Sequence, residues 1–264
     1  MHPVLFTIKK INLFGFSIGP LHVYSYGTML VLGFLAGMFL ASKRAKNKNI
    51  NKDDVIDLAF FILVFGILGG RISYVLIHLG YYSKHFSEIF NLSMGGLAWH
   101  GGLIFAIATM LVFCKIKKIN IRDLFDCIAP SFPLGQAIGR IGCFLNGCCG
   151  GKLLTGISLK ALGKAKIFHM RHPTQIYELI LDLMIFFFLL FYEKKYSKFK
   201  GELFLVYLAS YSFIRFMLEY LRDYPEEIVR HALGILSMGQ IVSLVIFILS
   251  VIWITICRKT SKRI

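Results

Sequence analysis

VIDLAFFILVFGILGGRISYVLIHL, residues 55–79, decides the fold. Nearly every side chain is apolar, yet Arg71 stands near its far end, beside a Gly69–Gly70 pair. Bilayer hydrocarbon is about 30 Å thick, and a helix crosses it in roughly 20 apolar residues. A soluble helix would show an apolar stripe and a polar face, whereas this stretch is apolar all round. Similar stretches lie near 18–41, 97–114, 123–148, 175–192, 202–221 and 235–257. The chain of 264 residues is 56% hydrophobic with a mean hydropathy of +0.67, and its 25 phenylalanines fall mostly in these stretches. The expectation is an all-α, polytopic membrane protein with about seven transmembrane helices, the fourth the most polar.

The formal net charge of +16 would suggest nucleic acid in a soluble protein. Its distribution points elsewhere. Lys43, Arg44, Lys46, Lys48 and Lys52 follow the first stretch, and Lys115, Lys117, Lys118 and Arg122 the third. Lys194, Lys195, Lys198 and Lys200 follow the fifth, and Arg258, Lys259, Lys262 and Arg263 the seventh. Basic clusters at alternate turns are the positive-inside pattern, placing the N-terminus outside and the C-terminus in the cytoplasm. The charge follows the alternation of apolar stretches and is topogenic, so no nucleic-acid partner is expected. One loop, 150–172, is basic although the alternation puts it outside. No cleavable signal peptide is read at the start. Residues 1–17 read as a short amphipathic arm on the outer surface, 80–96 and 150–172 as outer loops, and 1–264 as one membrane domain.

Ionisable residues inside spans are costly and mark function by default. Arg71 lies in the second stretch, Arg140 in the fourth, and Arg215 in the sixth with Glu219 one turn on. His100 opens the third and Tyr26 the first. Each alone has a plain structural reading: an ion pair, an aromatic belt, an interfacial histidine. Together they converge at the outer level. Arg71, Arg140, Arg215 and Arg222 face Glu178, Asp182, Glu219 and Asp223, a balance that permits an anionic ligand without requiring one. Gly135, Gly139, Gly142, Gly147, Gly150 and Gly151 flank Arg140 and Asn146, allowing close approach of a backbone or ligand. The guanidinium fork suits phosphate, and a phospholipid headgroup is the phosphate most available at that depth.

Cys143, Cys148 and Cys149 cluster at the end of the fourth stretch. A bridge from Cys143 to Cys148 or Cys149 is possible, a vicinal Cys148–Cys149 bridge would be strained, and a zinc site would need a fourth ligand. The preferred reading is small residues that let helices pack closely.

Seven motifs in order resemble the bacterial prolipoprotein diacylglyceryl transferases. They are YSYG (Tyr24–Gly27), GGRISYV (Gly69–Val75), GGLAWHGGL (Gly95–Leu103), GRIGCFLNGCCGG (Gly139–Gly151), RHPTQIYE (Arg171–Glu178), YSFIRFMLEYLR (Tyr211–Arg222) and LSMGQ (Leu236–Gln240). The resemblance implies transfer of the diacylglyceryl group of phosphatidylglycerol to the lipobox cysteine of a prolipoprotein, in the bacterial inner membrane. It implies no metal or organic cofactor. His100 matches the family's base, and Arg140 and Arg215 its phosphate-holding arginines. Tyr26, Asn146, Gly151, Tyr211 and Glu219 match further family positions, and Arg71 joins them as an expected substrate-binding residue. The chain departs at Cys143, where Asn is usual, and at Cys148, where Glu is usual. The alternatives are a related phosphatidylglycerol-using transferase with another acceptor, or a transporter.

Overall fold

The computed structural model describes residues 3–8, 11–13, 16–18, 21–91, 95–153, 171–223, 231–232 and 236–261. The chain divides into two units, Met1–Gly37 with Ile128–Ile264, and Met38–Cys127.

The first unit begins with strands. β1 (Val4–Ile8) pairs antiparallel with β4 (Leu21–Tyr24), and nested in sequence between them β2 (Ile11–Leu13) pairs with β3 (Phe16–Ile18). The arm expected at 1–17 is therefore a hairpin-like ladder whose return strand reaches Tyr24. The backbone N–H and hydroxyl of Ser25 both donate to the Pro3 carbonyl, at 2.9 and 3.2 Å, tying the ladder to the start of α1 (Ser25–Ala45).

In the second unit, α2 (Lys52–Ile77) starts at Asn51, whose side chain accepts from the Asp53 N–H at 3.1 Å. Asp53 and Asp54 in the first turn complement the helix dipole. A single turn, α3 (Leu79–Tyr82), follows, and α4 (Trp99–Lys117) packs along α2. The contact is close because it is lined with glycine. A β-carbon at Gly101 would meet the Ser73 side chain and lie 2.7 Å from the Gly69 carbonyl. α5 (Ile121–Ile128) is held by Arg44, which donates to the Cys127 and Asp126 carbonyls at 3.0 Å each.

α6 (Ser131–Asn146) belongs to the first unit, and its start corrects the sequence reading of 123–148 as one helix. The helix breaks at Ala129–Pro130, because proline supplies no N–H and clashes with the preceding turn. α6 lies against α1 where a β-carbon at Gly33 would be 2.8 Å from the Gly135 carbonyl. α7 (Thr174–Lys195) packs on α6 and α8 (Glu202–Glu219) on α7. A short ladder of β5 (His231–Ala232) and β6 (Leu236–Ser237) then leads into α9 (Met238–Ser261), which packs on α8. The fold is mostly helical, with three two-stranded ladders that an all-α reading omits.

Burial is inverted relative to a water-soluble protein. Phe39, Leu76 and Phe187 are 60%, 63% and 64% exposed, while Ser25, Thr174 and Glu202 are fully buried and Asp126, Asp182 and Gln240 nearly so. Such a surface is stable only in hydrocarbon. Among the described residues, five helices are long and apolar enough to cross a membrane: those at Ser25–Lys48, Lys52–Ile77, Trp99–Lys117, Thr174–Lys195 and Met238–Thr260. α6 has 16 residues, about 24 Å of helix, and α8 carries Glu202, Arg215 and Glu219. The chain is a multi-pass membrane protein.

Candidate functional site

In the Met1–Gly37 and Ile128–Ile264 unit, Glu178 is the hub of an ion-pair network. It lies in the second turn of α7 and is buried. Arg140 from α6 pairs with its Oε2. Arg222, just beyond α8, donates to its Oε1 at 3.3 Å, and Arg215 from α8 comes within 4.0 Å of the same oxygen. Arg215 also pairs with Glu219 at 2.9 Å, one turn along α8 as the sequence spacing predicts. Glu219 accepts from the Ser237 hydroxyl at 3.0 Å, and Ser237 is itself positioned by Gln240, whose side-chain oxygen accepts from its backbone N–H at 2.9 Å. Gly239 packs against the Glu219 carboxylate, which a β-carbon there would approach to 2.7 Å and displace.

The two acids are more buried than the arginines. Glu178 and Glu219 side chains are 8% and 7% exposed, against 20% for Arg140 and 22% for Arg215. Buried carboxylates therefore hold guanidinium groups that keep part of their surface open. Such groups can exchange an internal carboxylate contact for an external phosphate at small reorganisation. Asp182, one turn below Glu178, is within electrostatic range of Arg140. Tyr211 stacks on Tyr207 at 5.9 Å between centroids, and the Tyr207 hydroxyl donates to Gln136 at 3.2 Å.

Gly151 sits at the rim of this network in a small backbone lattice. It forms an antiparallel bridge with Arg222, and Leu153 one with Arg171. Gly151 N–H donates to the His172 carbonyl at 2.9 Å and Lys152 N–H to the Leu221 carbonyl at 2.9 Å. A β-carbon at Gly151 would lie 2.5 Å from the Leu221 carbonyl, so packing demands the glycine. Arg171 and Asp223 pair at 2.5 Å across the same lattice. Asn146 is the exposed last residue of α6. Tyr26 lies in the first turn of α1, its backbone against Gly142. The basic residues Lys160, Lys164 and Lys166 of the 150–172 loop fall outside the described residues.

Two expected residues lie in the Met38–Cys127 unit. His100 is exposed in the first turn of α4, its ring edge-on to Trp99 at 5.2 Å. Arg71 is buried, and its five N–H groups go to five backbone carbonyls. Its Nε donates to Ile89 at 2.8 Å, Nη1 to Gly95 and Gly96 at 2.9 and 3.0 Å, and Nη2 to Glu88 and Asn91 at 2.6 and 3.0 Å. Arg71 thus clamps the segment that precedes His100. Beside it is a cavity of about 370 Å³ lined by Arg71, Tyr74, His78, Tyr82, Gly95 and Gly96. At its edge the Tyr81 hydroxyl donates to Glu88 at 2.9 Å, which pushes the phenol above its ordinary pKa.

The sequence reading counted Glu178 among the balancing acids but did not place it at the site. Its signal was present: Glu178 and Asp182 share one face of an otherwise apolar helix. Arg222, Ser237 and Gln240 were missed as site residues because contacts between helices leave no spacing to read.

The chain is thus a multi-pass helical membrane protein with three arginines gathered on one buried carboxylate. Sequence comparisons identify its family. The family model for prolipoprotein diacylglyceryl transferase matches residues 14–256, and the chain belongs to this family. It is 35% identical to the phosphatidylglycerol–prolipoprotein diacylglyceryl transferase of Clostridium tetani over 261 residues, 98% of each chain. It is 37% identical to the protein of that name from Geobacillus kaustophilus, over 94% of this chain and 93% of the relative. The Clostridioides difficile protein of the same name is also 37% identical, over 87% and 89%.

Proposed function

We propose that the protein transfers the sn-1,2-diacylglyceryl group of phosphatidylglycerol to the lipobox cysteine thiol of prolipoproteins, the first step of bacterial lipoprotein maturation. The observation that carries this reading is the Arg140–Glu178–Arg215–Arg222 network, built from residues of three family motifs. His100 is the proposed base. A thiol has a pKa of about 8.5, and a neutral imidazole near pH 7 can take its proton. The thiolate attacks the glycerol carbon of the lipid, a C–S bond forms and the C–O bond to phosphate breaks. The electron pair leaves on glycerol phosphate, whose growing charge Arg140 and Arg215 stabilise. The imidazolium proton then passes to solvent or to the departing phosphate.

Tyr26, Asn146, Gly151, Tyr211 and Glu219 are the proposed surroundings of the lipid. Glu219 and Gly151 act by positioning: one orients Arg215, the other fixes the lattice bearing Arg222. Arg71 is proposed to act through the segment it clamps. The finer topology is also proposed: seven spans, with α6 and α8 crossing beside the five apolar helices. The N-terminus and the ladder at 4–24 are placed outside, the C-terminus in the cytoplasm, and the chain forms one transferase domain of the bacterial inner membrane. In support, Lys194, Lys195, Lys198, Lys200 and Arg258 gather at the ends of α7, α8 and α9 opposite Glu178. The positive-inside rule then puts the arginine network toward the outer face. The test is purified protein with labelled phosphatidylglycerol and a lipobox peptide. Thioether-linked label and released glycerol phosphate are expected from the wild type and not from His100→Asn. Unchanged transfer by that variant would remove His100 from the chemistry.

A further inference from the structure

Cys143, Cys148 and Cys149 have no part in the chemistry above, and the fold brings their sulfurs together. All three Sγ atoms lie within 4.8 Å of one another. In a tetrahedral thiolate centre, metal–sulfur bonds of about 2.3 Å set sulfurs about 3.8 Å apart. Small χ1 adjustments therefore suffice to close the set around one ion.

The arrangement is made by the backbone. α6 ends with Gly147 in the left-handed region at φ 75°, which turns the chain back on the helix. Cys148 N–H then donates to the Cys143 carbonyl at 3.1 Å, bringing the residue five positions on over Cys143. Cys149 is itself left-handed at φ 63°, a conformation that costs a residue with a β-carbon about 1–3 kcal/mol. Two buried side chains from the first turn of α7 hold it there. Thr174 Oγ1 donates to the Cys149 carbonyl at 2.8 Å, and Gln175 Nε2 to the Cys148 carbonyl at 2.6 Å. Were small size the only requirement, glycine at 149 would relieve the strain. A fold that fixes cysteine in this conformation is presenting a thiol.

We infer that Cys143, Cys148 and Cys149 bind one thiophilic metal ion, of the zinc or copper(I) class, at the end of α6. Soft thiolates select such ions over the hard cations that oxygen ligands hold. On binding, each thiol releases its proton to solvent and becomes a thiolate ligand. Three thiolates suit trigonal copper(I) directly; zinc completes its tetrahedron with water. Arg140 and Arg222 are within electrostatic range of Cys149 and offset the negative charge of the complex. The ion ties α6, which carries Arg140, to the segment that carries Gly151, so its role is structural.

The test uses the full chain in detergent, reduced and stripped of metal, and reads metal content instead of lipid transfer. Zn²⁺ and, separately, Cu(I) are titrated against a competing chelator, with Cd²⁺ as a probe through its thiolate charge-transfer absorption. One ion per chain is expected. Cys143→Ser, Cys148→Ser and Cys149→Ser should each weaken binding by at least about tenfold, while Cys114→Ser and Cys257→Ser leave it unchanged. Cys149 is exposed, so its variant keeps the test open even if Cys143→Ser fails to fold. Preference for Cu(I) assigns the three-coordinate form, and retention of Zn²⁺ the four-coordinate one. No ion on the reduced wild type, or wild-type affinity in Cys149→Ser, overturns the inference.

Discussion

The bundle of α7, α8 and α9 buries a carboxylate at each end, and the two are treated differently. Glu202, fully buried, is saturated: it accepts from Tyr192 Oη at 2.9 Å, Arg258 Nε at 2.6 Å, and the Lys198 and Phe199 N–H groups at 2.6 and 3.3 Å. One arginine meets one acid, and backbone donors complete the shell. Glu178, about 21 Å along α7 from the Tyr192 that binds Glu202, is surrounded by arginines from different segments. A closed shell fixes helices. On the proposed function, an acid shared by three arginines is a placeholder that a stronger anion displaces. Charge within a membrane helix therefore does not by itself mark a site; on the proposed function, the convergence of several cations on one acid does.

Four substitutions break or sharpen this contrast. Glu202→Ala leaves the partly exposed Arg258, the Tyr192 hydroxyl and two backbone N–H groups without their acceptor and should cost about 1–3 kcal/mol of stability. Thermal unfolding in detergent would show the drop, with any surviving folded protein retaining transfer. Arg140→Ala should do the reverse. Transfer should fall on the order of a hundredfold or more, as when one transition-state donor is removed, while the melting temperature changes little.

Arg71 is the scaffold arginine of the other unit. Lysine offers three donors to its five carbonyls, so Arg71→Lys should cost about 1.5–3 kcal/mol in charged hydrogen bonds. Faster hydrogen exchange across 88–96 would locate the loss. Gly151→Ala pushes a methyl against the Leu221 carbonyl and should cost about 1–3 kcal/mol. Lower transfer with unchanged helix content would show that the lattice positions Arg222.

The sequence carried the membrane class well, because hydropathy sums over whole helices and needs no knowledge of neighbours. It failed where structure depends on a distant partner. Residues 123–148 read as one span, yet Pro130 breaks them, and the two pieces fall in different units. β1 and β4 were invisible as a pair because their alternation is weak and their pairing spans some twenty residues. The i,i+4 pair Arg215–Glu219 was legible, being local. Glu178 as hub was not, since its three partners come from α6, from α8 and from the turn after it. For Arg71, residue type and depth drew attention to it, and only the structure shows which carbonyls its donors meet.

The central claim is that the arginines around Glu178 are a catalytic anion site and not scaffold. It is tested most directly by measuring Arg140→Ala for both properties in one preparation. The account predicts transfer from phosphatidylglycerol to a lipobox peptide reduced at least about a hundredfold, with thermal unfolding close to wild type. Near-normal transfer, or loss of activity only in step with loss of the fold, would contradict it.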